Sequence, residues 1–164
     1  MNFLFYISGL IAAFSTFMVI TRKSTVHALL YLIVSLLAVA LIFFSLGAPF
    51  MAALEVIIYA GAIMVLFVFV IMMLNLGAEA TRQEAQLLTP GIWIGPSILT
   101  ILLAVELIAL FIAGPVRLSG ATMIGPKQVG IALFGPYVLG VELASMLLLA
   151  GLIGAYHLGR PHKH

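Results

Sequence analysis

The sequence predicts an all-α integral membrane protein of about five transmembrane helices with almost no soluble part. Three observations carry this. Of 164 residues, 65% are hydrophobic and only 7% are charged, whereas soluble domains carry about 25% charged residues. The mean hydropathy is +1.32. The apolar residues also fall in long runs, and a bilayer-spanning helix needs about 20 mostly apolar residues. Five runs meet that length: 2–20, 28–47, 50–74, 91–113 and 137–157. They use most of the chain, so 1–164 reads as a single transmembrane domain.

The first run has no basic residue before it; Arg22 and Lys23 follow it instead. It lacks a small-x-small cleavage site with a polar start beyond, so it is expected to stay as helix 1 rather than act as a signal peptide. Ser24 or Thr25 can cap helix 2, and Pro49 restarts the chain for helix 3. Asn75 and Gly77 suit the end of helix 3, and Pro90 sits at the start of helix 4. Gly114 and Pro115 end helix 4, and Pro136 suits the first turn of helix 5. The polar stretch 79–89 is the main loop. The stretch 114–135 is rich in Gly and Pro and is expected to be irregular.

Lys and Arg accumulate on the cytoplasmic side of membrane proteins. With five spans, Arg22, Lys23, Arg82, Arg160 and Lys163 share one side, against Arg117 and Lys127 on the other. This bias predicts the N-terminus outside and the C-terminus in the cytoplasm. The basic residues hug helix ends, which fits topology and not nucleic-acid binding. The net charge of +2 is small, and there is no cysteine. That excludes disulfides, cysteine-held iron–sulfur clusters and thiolate zinc sites. His27, His157, His162 and His164 make no spaced ligand pair, and no Gly-rich phosphate loop follows a strand. No metal or cofactor site is expected in this chain. No internal repeat suggests a repeat-built transporter.

Glu55, Glu106 and Glu142 fall inside apolar runs. A charged residue at mid-helix costs about 2.5–3.5 kcal/mol on insertion scales, so such residues usually have a reason. From the topology, all three are expected in the outer half of the membrane. One reading is a proton relay or a carboxylate lining a wet path. The plainer reading is a Glu near a helix end, held by the dipole or a neighbour; Glu106, two turns from its helix end, can simply snorkel.

Helix 3 is the most unusual run. Glu55 and Tyr59 are four apart and share a helix face. The patch Ala60-Gly61-Ala62 lets a partner helix approach closely. Gly61 and the β-branched and aromatic residues after it weaken the regular ladder, a context where a π-bulge can form; ordinary packing around a small patch is the alternative. In helix 5, the pairs Gly140/Ala144, Gly151/Ala155 and Ala150/Gly154 suggest close packing. Ser145, three residues beyond Glu142, is placed to share its hydrogen bonds.

Two segments carry a resemblance. They are Ala53-Leu-Glu55-Val-Ile-Ile-Tyr59-Ala-Gly-Ala-Ile-Met-Val-Leu-Phe-Val-Phe-Val-Ile-Met-Met73-Leu-Asn75 and Val141-Glu-Leu-Ala-Ser-Met-Leu-Leu-Leu-Ala-Gly151-Leu-Ile-Gly-Ala. Both closely resemble the subunit J family of bacterial NADH:quinone oxidoreductase, respiratory complex I. Val26-His-Ala-Leu-Leu-Tyr-Leu fits as well, and the likeness covers nearly the whole chain. The charged tail often found after helix 5 in that family is short here.

The resemblance implies a multi-pass subunit of the bacterial inner membrane. It would lie at the junction of the membrane and quinone-reducing arms and pack with subunits A, H and K and the antiporter-like subunits. It implies a non-catalytic part of a translocase with no cofactor of its own. NADH, FMN, iron–sulfur clusters and quinone would belong to partner subunits. It further implies that helix 3 switches between π-bulged and regular forms, changing a water path toward carboxylates of subunit K. On this chain the bulge would fall near 59–66. Tyr59 and Gly61 would form the gate, with Glu55 and then Glu142 as polar members, and Met64, Val65, Leu66 and Met72 packed around it. The competing expectations are a purely structural assembly subunit, or the equivalent subunit of a related cation/proton antiporter or membrane-bound hydrogenase.

Overall fold

A computed structural model describes residues 2–22, 24–74, 90–112 and 123–160. The described residues are helical, with no strand among them. They fall into two compact units, Met1–Met123 and Ile124–His164, each described by itself. Five helices among the described residues are long and apolar enough to cross a membrane: Phe3–Thr21, Thr25–Ser45, Pro49–Ile71, Gly91–Leu110 and Val138–Gly159.

In the first unit, α1 (Asn2–Thr21) packs along α2 (Thr25–Ser45). Ser8, Ile11 and Ser15 form the buried stripe of α1, at the three-and-four spacing that puts residues on one helix face. The central helix, α2, buries His27, Leu29, Tyr31, Val34, Ser35, Ala38, Ala40 and Leu41. It begins three residues earlier than the apolar run suggested. Ser24 takes the extended backbone of an N-cap, although its side chain makes no capping bond. It ends two residues early because Gly47, at φ 83, turns the chain. A left-handed residue just past a helix end lets following N–H groups fold back on the last carbonyls. Here the Ala48 N–H reaches the Phe43 oxygen at 3.0 Å.

Pro49 then opens the third span at its first helical position. This span is not one regular helix. It runs as α3 (Pro49–Leu54), a π-helical segment π1 (Glu55–Ile63) and α4 (Met64–Leu74), all packed against α2. Helix α5 (Pro90–Ile112) returns along α2 and α1. The expected ends at Asn75, Gly77, Gly114 and Pro115, and the loop 79–89, lie outside the described residues.

The core of this unit joins Ile11, Val34, Ala38, Leu41, Leu103 and Leu110 from α1, α2 and α5. Polar ties run beside it. The Thr16 and Ser35 hydroxyls lie 2.8 Å apart, and the Ala12 carbonyl accepts from both, at 2.8 Å and 3.3 Å. At the far end of α2, His27 stacks on Tyr31 with centroids 5.1 Å apart, and the Arg22 guanidinium lies 5.6 Å over the same ring. Tyr31 is seated directly against Gly95 of α5, where a Cβ would collide with its hydroxyl.

The second unit holds α6 (Pro126–Leu133) and α7 (Val138–Gly159). The expectation that all of 114–135 is irregular is therefore corrected over 126–133. Pro126 occupies the first turn, and the Gly125 N–H donates to Gln128 Oε1 at 2.9 Å. These local caps stabilise eight residues too short to show as an apolar run. Pro136 sits in the turn 134–137 before α7 and not inside its first turn.

Candidate functional site in the third span

The π segment arises where the sequence least supports an α ladder. Val56, Ile57, Ile58 and Ile63 are β-branched and lose side-chain freedom against the preceding turn, and Gly61 adds backbone freedom. In a π turn the N–H of residue i+5 bonds the carbonyl of residue i, and such insertions recur at functional sites. The closing bonds show the changeover. Glu55 N–H still bonds back within α geometry, to Met51 and Ala52 carbonyls. Met64 N–H reaches the Tyr59 carbonyl, five residues back, and also the Gly61 carbonyl, three back. Gly61 lies five residues after Val56, and a Cβ there would stand 3.2 Å from the Val56 oxygen. The widened turn thus brings the backbone close to position 61, and a larger residue would press on it.

Glu55 opens the segment, half-buried. Tyr59 sits at its centre and is 49% exposed. Gly61 lies near its end. The segment begins four residues before the expected 59–66 and ends before Met64, so Met64, Val65 and Leu66 lie in the regular α4 that follows. The β-branched run precedes Gly61 as well as following it, which moves the irregular turn toward Glu55. Met64 is only 2% exposed and anchors the junction, while Val65 and Leu66 are exposed. The Met72 side chain lies outside the described residues. Beside the segment an apolar groove of about 450 Å³ opens between α2, α3 and α5, lined in part by Leu41, Ala52, Val56, Leu103 and Leu107.

Glu142 belongs to the second unit and is exposed there. Ser145 donates to its backbone carbonyl at 2.7 Å and not to its carboxylate. A serine hydroxyl inside a helix can reach back to the carbonyl three or four residues earlier.

Glu106 corrects a different expectation. It does not snorkel to the interface. It is 8% exposed, and its Oε2 accepts a hydrogen bond from Ser8 at 3.0 Å. A signal for this was in the sequence: Leu99, Leu103, Glu106 and Leu110 step by four, three and four, which places the acid on the stripe that packs against α1 and α2. Among the described residues, no three His or Glu gather as a metal site.

Comparison with known proteins agrees in kind. The family described as NADH-ubiquinone/plastoquinone oxidoreductase chain 6 matches residues 15–158. A Pseudomonas aeruginosa protein named NADH-quinone oxidoreductase subunit J is 60% identical over 161 residues, covering 98% of this chain and 97% of that protein. An Escherichia coli protein of the same name is 58% identical, covering 99% and 89%. One from Buchnera aphidicola subsp. Schizaphis graminum is 52% identical, covering 99% and 100%. With its five apolar helices, the chain is a multi-pass protein of the bacterial inner membrane. A match over most of its length, with near-full-length relatives above half identity, places the chain in the subunit J family of bacterial NADH:quinone oxidoreductase.

Proposed function

We propose that this chain is a membrane-arm subunit of proton-pumping NADH:quinone oxidoreductase, and that its third span couples quinone reduction to proton translocation by changing its helical form. The carrying observation is the nine-residue π segment containing Glu55, Tyr59 and Gly61. Moving from i→i+5 to i→i+4 bonding rotates every side chain on one side of the change relative to the other. The groove beside Val56 leaves room for such a rotation. Tyr59 and Gly61 act as the gate, and Glu55 holds water or a proton beside it. Met64 packs at the end of the moving turn, Val65 and Leu66 follow it on α4, and Glu142 plays a supporting polar part.

In this reading the redox chemistry lies in partner subunits, which hold NADH, FMN, iron–sulfur clusters and quinone. Subunits A, H and K and the antiporter-like subunits surround the chain. The N-terminus faces outside, as the loop charges indicate. The relatives reported above are all subunits of NADH-quinone oxidoreductase by name, which favours this reading over an antiporter or hydrogenase.

The test is Gly61→Leu and Tyr59→Phe in the assembled complex. Both are expected to slow quinone reduction and proton pumping. Rates equal to wild type in both variants would overturn the gating role.

A further inference from the structure

Three buried side-chain atoms among the described residues lack a hydrogen-bond partner: Ser15 Oγ, His27 Nε2 and Glu106 Oε1. They belong to α1, α2 and α5, and none is in π1. Buried polar atoms are almost always paired, and one without a protein partner commonly marks an ordered water. We propose that this seam binds internal water, anchored at Glu106 and Ser8.

The chemistry at that anchor selects water over lipid. Oε2 of Glu106 is held by the Ser8 hydroxyl, and Oε1 is left without a partner at 8% residue exposure. Ser8 is fully buried. Its oxygen donates its one hydrogen to Glu106 and keeps two lone pairs. A single molecule able to donate to both Oε1 and Ser8 Oγ satisfies the site, and water supplies the two to four partners' worth of bonds such a position needs. An acyl chain offers none. The same helix face of α1 carries Ser15 two turns further on, about 10.5 Å along the axis. His27 on α2 ends the series, and water suits its Nε2 whether that atom donates or accepts. The seam is thus a binding site for a small neutral hydrogen-bonding ligand, built into a largely apolar three-helix core. This does not rest on the gating role of the third span.

The experiment is an electron-microscopy map of the assembled complex, fine enough to show ordered water, for wild type, Glu106→Gln and Glu106→Leu. Wild type is expected to show density about 2.5–3.0 Å from Oε1. Glu106→Gln should retain it, because the amide still bonds water, and Glu106→Leu should lose it. Absence of that density in wild type, where waters are visible at the same membrane depth, would overturn the proposal. So would a partner subunit's donor seated on Oε1.

Discussion

The three-helix core and the third span are both built from long apolar runs, yet they resolve them differently. In the core, α1, α2 and α5 present stripes at regular spacing, and each stripe carries a polar tie. Ser8 bonds Glu106, and Thr16 meets Ser35. Among the described side chains of the third span past Ala52, Met64 alone is deeply buried, and the backbone departs from α geometry over nine residues. Lipid tails are as apolar as Leu, so helix association in membranes rests on packing, small residues and interhelical hydrogen bonds. The core has all three. The third span has one face on α2 and leaves Val56, Tyr59 and Leu66 outward. The difference teaches that apolarity sets where helices form, while side-chain fit decides which of them are held in one form.

Breaking the comparison should have its largest effect at Gly61. Gly61→Leu presses a side chain on the Val56 carbonyl, which already stands 3.2 Å from a Cβ there. Overpacking strain of about 1–3 kcal/mol corresponds to roughly 5- to 150-fold in an equilibrium, so quinone reduction in intact complex should fall by about tenfold or more. In the core, Ile11→Ala should instead lower the thermal stability of the complex by about 2 kcal/mol or more, as large-to-small core changes do, with turnover per intact complex unchanged, because Ile11 does not line the groove beside Val56.

Gly95→Ala comes next. The added methyl meets the Tyr31 hydroxyl, so assembly yield should drop, at a cost of about 1–3 kcal/mol. Tyr31→Phe removes the atom in closest contact, and the double variant should recover part of the loss. The smallest effect is expected for Thr16→Val with Ser35→Ala. Interhelical hydrogen bonds in membranes average about 0.6 kcal/mol, so the melting temperature should move only slightly. A collapse of assembly there would mean that the core depends on its polar ties more than on its packing.

The five spans were legible in the sequence because lipid demands long apolar runs and little else. Their ends were less so. The start of α2 depends on the backbone of Ser24, and its end on the positive φ of Gly47; neither changes hydropathy. Glu106 was misread because an acid near a helix end was weighed by depth alone, without the stripe Leu99–Leu103–Glu106–Leu110 on which it sits. The irregularity of the third span was visible as a tendency in Gly61 and its β-branched neighbours. Its extent was not, because whether a weakened ladder takes an extra residue per turn depends on packing against α2. Glu142 shows the same limit: the sequence places it on α7 but not which carbonyl Ser145 selects.

The central claim is that Glu55–Ile63 changes helical form during turnover. The direct measurement is a pair of maps of the assembled complex, one at rest and one captured while reducing quinone, read for the backbone partner of each N–H from residue 59 to residue 64. The account predicts that the Met64 N–H leaves the Tyr59 carbonyl and takes the Ala60 carbonyl in one of the two states, with Tyr59 rotated. The same five-residue bonding in both states would contradict it.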